Sequence, residues 1–218
     1  MSSKRIQPVA ALVAEIERIR HQIAECSKRI QPASALVAVA AVMIGVTILF
    51  TLVVRVPFAP TGGYFNFSDV AVYFAAFAFG PWMGLVAGGV GTALADIIGG
   101  YLQFAPLTFL AHGLEGLVTG YVGHKLLPEA TRGGSPLRRI LGITIGWALG
   151  AIVMLSFYFV GEAFIYGMGV IAAGGEALSI NIPQVIVGGL VGIPLVLAVR
   201  RAYPPIMQIG QRREWREE

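Results

Sequence analysis

The chain has 218 residues, 56% of them hydrophobic and 13% charged, with a mean hydropathy of +0.74 and a formal net charge of +4. A soluble domain is about 25% charged, so this composition excludes a fold that covers itself with polar surface in water. The pI near 9.5 raises nucleic-acid binding, but the basic residues flank apolar runs, where membrane topology explains them; the single cysteine, Cys26, excludes an intrachain disulfide and a cysteine zinc site.

Fifteen of the 16 Lys and Arg residues fall before residue 30, between Lys125 and Arg139, or from Arg200 onward, with Arg55 the exception. Positive residues stay on the cytoplasmic side of a membrane. Both termini and the segment around Arg132 are therefore expected inside, with an even number of spans between them.

Residues 3–14, SKRIQPVAALVA, and 27–38, SKRIQPASALVA, match at ten of twelve positions. With no third copy this is not a solenoid; a duplicated start or an expression scar is the simpler reading than a functional repeat. Leu12, Ile16, Ile19, Ile23 and Ile30 share one helical face, with Glu15, Arg18, Arg20 and Glu25 elsewhere. Residues 1–32 thus read as a cytoplasmic amphipathic helix along the membrane surface. No cleavable signal is expected, since the apolar stretch after Lys4 and Arg5 is short.

The membrane domain is expected over 33–200 and a cytoplasmic tail over 201–218. The first span is predicted from Ala33 to Val54, long enough to cross a hydrocarbon core of ~30 Å. Val56–Phe67 reads as an external loop, and Ser68 with Asp69 as a helix N-cap. Val70–Phe79 is short for a span and meets a Gly80-Pro81 turn. Trp82–Ile98 follows, ended by Gly99-Gly100. After the loop Tyr101–Ala105, Pro106 opens a fourth helix running inward to Lys125. Leu126–Arg139 is a cytoplasmic loop, and the fifth span starts near Ile140 and reaches at least Phe159. Val160–Ile180 reads as a long Gly-rich external segment, and Ile182–Val199 as the sixth span. The fold class is an all-α polytopic membrane protein, a compact six-helix bundle with both termini cytoplasmic. Small residues at four-residue spacing, such as Gly116 and Gly120, Gly142, Gly146 and Gly150, and Gly188 and Gly192, suit close helix packing inside it.

This topology sends polar groups to the outer half of the bundle: Tyr64, Asn66, Asp69, Asp96, Tyr101, His112, Glu115, Glu162, Tyr166, Asn181 and Gln184. His112 and Glu115 share a helical face. Single members have plainer readings. Asp69 also suits a helix cap, Asp96 and Glu115 suit helix-to-helix bonds, and Glu176 reads as a solvated loop residue. Together they read as an outward-opening polar cup for a small molecule. No Walker A loop or G-x-S-x-G occurs, and His112 with Glu115 and Asp96 is thin support for a metal. Neither a metal nor a cofactor is expected.

The stretch Gly63–Lys125 carries an Asp at the head of a short helix (NFSD), a Gly-Pro turn, a Gly/Ala-rich helix ending in ADIIGGY, and GLEG in the next helix. With NIPQVIVGGLVGIPL, Asn181–Leu195, it resembles the substrate-binding S components of energy-coupling-factor (ECF) vitamin transporters, over about residues 35–200. Members often carry Lys at the position of His112. The resemblance implies an outward-facing pocket, no catalysis, and transport with a transmembrane T component and two cytoplasmic ATPases in the cell membrane. It also implies that small residues of the first helix, here Ser34, Ala38, Ala41 and Gly45, face the T component. Two other classes stay open: a solitary proton-coupled permease using Asp96 or Glu115, and an intramembrane enzyme using His112 with Glu115. The outer half sets Asp69, Asp96, Glu115, Glu162 and Glu176 against Arg55 alone, so a neutral or cationic heteroaromatic ligand, thiamine-, pyrimidine-, pyridoxine- or flavin-like, is expected over biotin or folate.

Overall fold

The computed structural model describes residues 7–126 and 135–203. Helix α1 covers Gln7–Val53, and the chain divides within it into two compact units, Met1–Val39 and Ala40–Glu218. In the first unit the amphipathic face is described only at Ile16 and Ile19, both exposed; Leu12, Ile23 and Ile30 lie outside the described side chains. Arg18 and Glu15 form an exposed pair at 3.2 Å, one turn apart on the helix. Ser34 and Ala38 are exposed.

The second unit opens with the C-terminal part of α1, in which Thr47 and Thr51 turn their hydroxyls back onto the carbonyls four residues earlier, at 2.9 and 2.7 Å. That local bond removes the cost of a hydroxyl in an apolar setting. The expected loop over Val56–Phe67 contains a hairpin, β1 (Val56–Phe58) against β2 (Gly63–Phe65), antiparallel with Pro57 opposite Tyr64.

Helix α2, Ser68–Phe79, lies at the centre, with every residue but Phe74 buried. It has no charged residue besides Asp69, so it can be surrounded by other helices on all sides. The predicted N-cap is corrected here: Ser68 and Asp69 are the first helical residues, and neither caps. Phe67 holds the cap position without a side-chain bond, and the residue before it, Asn66, accepts from the Ser68 N–H through Oδ1 at 2.8 Å, while Asp69 is turned inward. Gly80, at φ 100°, lets the chain reverse in one residue before Pro81 starts the next helix.

Helix α3 runs Pro81–Gly99 with a π turn at Val86–Val90. Gly100 closes it in the left-handed conformation. Helix α4 covers Ala105–Tyr121 and continues as a π turn, Val122–Leu126. Gly84 of α3 and Gly116 of α4 lie backbone to backbone; a Cβ on either would collide with the other's main chain. The Gly116, Gly120, Gly146, Gly150, Gly188 and Gly192 stripes all face neighbouring segments, whereas Gly45 has nothing within 4 Å of where a Cβ would be.

Helix α5, Pro136–Ile165, starts four residues earlier than predicted, because Ser135 caps it by accepting from the Arg138 N–H and Pro136 fits its first turn. Most of the expected loop Leu126–Arg139 lies outside the described residues. The long external segment predicted over Val160–Ile180 is also corrected. Helix α5 extends to Ile165 through a π turn, Gly161–Ile165, and α6 begins at Val170 and runs to Ala202 with a π turn at Ala177–Asn181. Gly167 and Gly169, both at positive φ, compress the reversal into four residues, and the Ala-rich remainder is helical. Helix α2 packs on α3, α4 and α6, and α4 packs on α5.

Among the described residues, four helical stretches are long and apolar enough to cross a membrane: Ser34–Val53, Pro81–Gly99, Pro136–Ile165 and Val170–Ala202. The chain is an all-α, multi-pass membrane protein with one small hairpin.

Candidate functional site

A cavity lies in the second unit, enclosed by the hairpin and by parts of several helices. Thr51 of α1, Tyr64 and Asn66 of the hairpin region, Thr92 and Asp96 of α3, and Thr108 and His112 of α4 line it. Tyr158 and Glu162 of α5 and Glu176, Asn181 and Gln184 of α6 complete the polar lining. Among the described residues no Lys or Arg lines it. Polar groups gather here because the outward faces of the helices are apolar and, in lipid, offer such groups no partner.

The hairpin is tied down at several points. The Tyr64 hydroxyl donates to Asp96 Oδ1 at 2.6 Å. Burial, and then the Asp96 carboxylate, push the Tyr64 phenol above its ordinary pKa, so it stays a donor. The Tyr101 ring packs against Tyr64 with centroids 4.6 Å apart. The Arg55 guanidinium lies over both rings, 5.4 and 5.8 Å from their centroids, and donates to the Gly99 carbonyl at 3.2 Å. The Asn66 main-chain N–H donates to Gln184 Oε1 at 3.0 Å. Thr61 in the hairpin turn donates to Glu176. A Cβ at Gly63 would run into the same carboxylate and make it shift.

Behind the cavity a buried network starts at His112, 1% exposed. Its Nδ1 lies 3.1 Å from Asp69 Oδ1 and 3.0 Å from Glu115 Oε2. Two carboxylate neighbours fix Nδ1 as a protonated nitrogen. Tyr73 donates to the other Glu115 oxygen at 2.5 Å, and Gln184 Nε2 to Asp69 Oδ1 at 3.4 Å. Asp69, His112 and Glu115 offer three ligand atoms within 4.8 Å of one another, but the same atoms already satisfy each other as hydrogen-bonded ion pairs. The network links α2, α4 and α6 and leaves the imidazole at the cavity wall.

Of the predicted site residues, Tyr64, Asn66, Asp96, His112, Glu162, Asn181 and Gln184 line the cavity. Asp69 and Glu115 stand behind His112 and touch it. Tyr101 backs Tyr64, and Tyr166 stands outside, donating to the Gln103 carbonyl at 2.6 Å and stacking beside Phe104 at 5.5 Å. Sequence reasoning missed Glu176, which is 3% exposed and not a solvated loop residue. The surrounding Ala- and Ile-rich run was the signal, since it makes the segment a helix and Glu176 an intramembrane acid. Thr51, Thr92 and Thr108 were also missed. Thr51 and Thr92 each bond back to a carbonyl of their own helix, so an alternating apolar pattern gives no hint of them.

Comparison with known proteins identifies the family. Residues 33–201 match the family model for the ECF-type riboflavin transporter, S component. An uncharacterised protein from Pyrococcus woesei is 35% identical over 159 residues, covering 72% of this chain and 97% of the relative. The thiamine precursor transporter HmpT of Lactococcus lactis subsp. cremoris (strain MG1363) is 29% identical over 127 residues, covering 58% of this chain and 64% of that protein. With most of its length matched, the chain belongs to the S component family of ECF-type riboflavin transporters, and so is a vitamin transporter subunit and not an enzyme.

Proposed function

We propose that this chain captures a water-soluble vitamin or vitamin precursor in an outward-facing pocket and delivers it with a T component and two cytoplasmic ATPases. The observation that carries this reading is the buried cavity, ringed by polar side chains inside an apolar bundle and shut on one side by the tethered hairpin. It sits in the plasma membrane as six spans, α2 and α4 completing the set, with both termini and the segment around Arg132 in the cytoplasm. Tyr64, Asn66, Asp96, His112, Glu162, Asn181 and Gln184 contact the ligand; Asp69 and Glu115 hold His112, and Tyr101 and Tyr166 support the wall.

The ligand is a neutral or cationic heteroaromatic. Three acids line the cavity, Asp96, Glu162 and Glu176, with no Lys or Arg among the lining residues. A carboxylate-bearing vitamin would bury its charge among like charges. The family description names riboflavin and the HmpT name a thiamine precursor, and both fit this class. The T component is met by the exposed small residues of α1, Ser34, Ala38, Ala41 and Gly45.

Purified full chain should bind one such vitamin tightly without nucleotide; failure to bind any heteroaromatic vitamin would sink this reading. The buried carboxylates Asp96 and Glu115 favour a second reading, a solitary proton-coupled permease. Uptake into vesicles holding this chain alone, driven by a proton gradient, would establish that one instead.

A further inference from the structure

A second concavity lies between α5 and α6, with none of its lining shared with the polar cavity. Thr144 and Trp147 of α5 and Ile186, Gly189, Leu190, Ile193 and Pro194 of α6 line a groove of about 310 Å³, the size of a small-ligand site. Gly189 leaves room here, and the Trp147 indole takes the space that a Cβ would fill. The indole N–H donates to the Val185 carbonyl at 3.0 Å, so the ring's one donor is satisfied and its apolar surface is what it offers the groove. Ile186, Leu190 and Pro194 are exposed. Among the described residues no charged side chain lines the groove.

The charge lies at one end of this groove. Because α5 and α6 join through a short reversal, the start of α5 and the end of α6 lie together. Arg139 follows the first turn of α5, and Arg200 and Arg201 stand in the last turn of α6. The Arg139 guanidinium is near enough to repel that of Arg200, which itself donates to the Phe77 carbonyl. Arg139 and Arg201 are exposed. Arg200 continues the helical row of Gly189 and Ile193, and Arg201 the row of Leu190 and Pro194. Thr144 stands ~8 Å along the axis from Arg139, and Ile193 ~10 Å from Arg200, inside one leaflet of a ~30 Å core. Topology explains arginines at an inner helix end. It does not favour them at the start of α5, where the helix dipole already adds positive charge and the first turn holds no acid.

Positive charge at the head of an apolar groove is the complement of an anionic phospholipid. We propose that one such lipid binds here, its phosphate against Arg139 and Arg201 and one acyl chain along the groove between α5 and α6. Guanidinium groups pair with phosphate through two parallel hydrogen bonds, and each cation near the membrane surface favours an anionic headgroup. The phosphate also relieves the repulsion between Arg139 and Arg200. A zwitterionic lipid makes the same chain contact but brings a cation that the arginines repel. A second copy of the chain would fill the groove with no need of them.

The test reads Trp147 fluorescence in the full chain carrying Trp82→Phe and Trp215→Phe, which leaves Trp147 as the single tryptophan. The protein is placed in nanodiscs of unlabelled phosphatidylcholine, with increasing amounts of phosphatidylglycerol or phosphatidylcholine whose chains are brominated and quench indole on contact. Brominated phosphatidylglycerol is expected to reach half-maximal quenching at a mole fraction on the order of 10-fold lower than brominated phosphatidylcholine. Arg139→Gln with Arg201→Gln is expected to bring the two lipids level while leaving quenching by phosphatidylcholine unchanged, which shows that the groove itself is intact. Equal quenching by the two lipids before any arginine is changed overturns the inference and marks ordinary surrounding lipid. A preference that survives the double arginine change overturns it as well. Quenching by neither lipid, with the chain crosslinking as a dimer, assigns the groove to a second copy and also overturns it.

Discussion

The Tyr64 hydroxyl donates to Asp96 Oδ1 at 2.6 Å and so fastens the hairpin to the end of α3 over the cavity. A buried hydrogen bond to a charged acceptor contributes about 1.5–3 kcal/mol. Tyr64→Phe keeps the ring stack on Tyr101 and removes only this bond. It is expected to weaken ligand binding on the order of 10-fold, chiefly through a faster off-rate, because the hairpin opens more readily. Stopped-flow binding would measure it, and an unchanged off-rate would mean that the bond does not restrain the ligand.

His112 stands between two buried carboxylates, Asp69 at 3.1 Å and Glu115 at 3.0 Å. Removing one partner of a buried ion pair leaves the others uncompensated and costs about 3–5 kcal/mol. His112→Ala is therefore expected to lower thermal stability markedly, whereas the double change His112→Ala with Glu115→Gln recovers part of the loss. Thermal unfolding of both variants in one detergent checks this; equal melting temperatures for wild type and His112→Ala would contradict the network as described.

The Gly84–Gly116 contact brings α3 and α4 together through their main chains. Gly116→Val forces the helices apart, and overpacking of this kind typically costs about 1–3 kcal/mol or more. The variant is expected to elute as aggregate or to unfold early, while Gly45→Val, with open space around it, leaves the isolated subunit's elution profile and stability unchanged. The comparison by size-exclusion chromatography separates structural glycines from surface ones.

Ala38→Trp and Ala41→Trp test the partner face. Both residues are exposed, so the isolated subunit is expected to keep its ligand affinity while co-purification with a T component and transport are lost. Equal loss of binding and assembly would mean that these alanines pack within the subunit.

Much of this fold was legible because lipid simplifies the rules. Charge clusters, apolar run lengths and the Gly80-Pro81 and Gly99-Gly100 punctuation located most of the helices to within a few residues. What failed were local choices between loop and helix. Val160–Ile180 looked like a loop because five glycines fall within it, yet only Gly167 and Gly169 adopt positive φ, and the remaining three are helical. Ser68 and Asp69 looked like a cap because residue type alone does not say which polar residue has its N–H neighbours in reach; Asn66 does. The loop assignment hid Glu176. Seven of the eleven predicted site residues converge on one cavity because polar groups in an apolar bundle have few other places to go. The threonines of the wall remained invisible, since each of Thr51 and Thr92 is satisfied within its own helix.

The central claim is ligand capture by this subunit, and equilibrium titration of the purified full chain in nanodiscs without nucleotide tests it most directly. The account predicts tight, one-to-one binding of a neutral or cationic heteroaromatic vitamin or precursor, with biotin and folate far weaker. Preferential binding of biotin or folate, or no binding of any such vitamin, would contradict it.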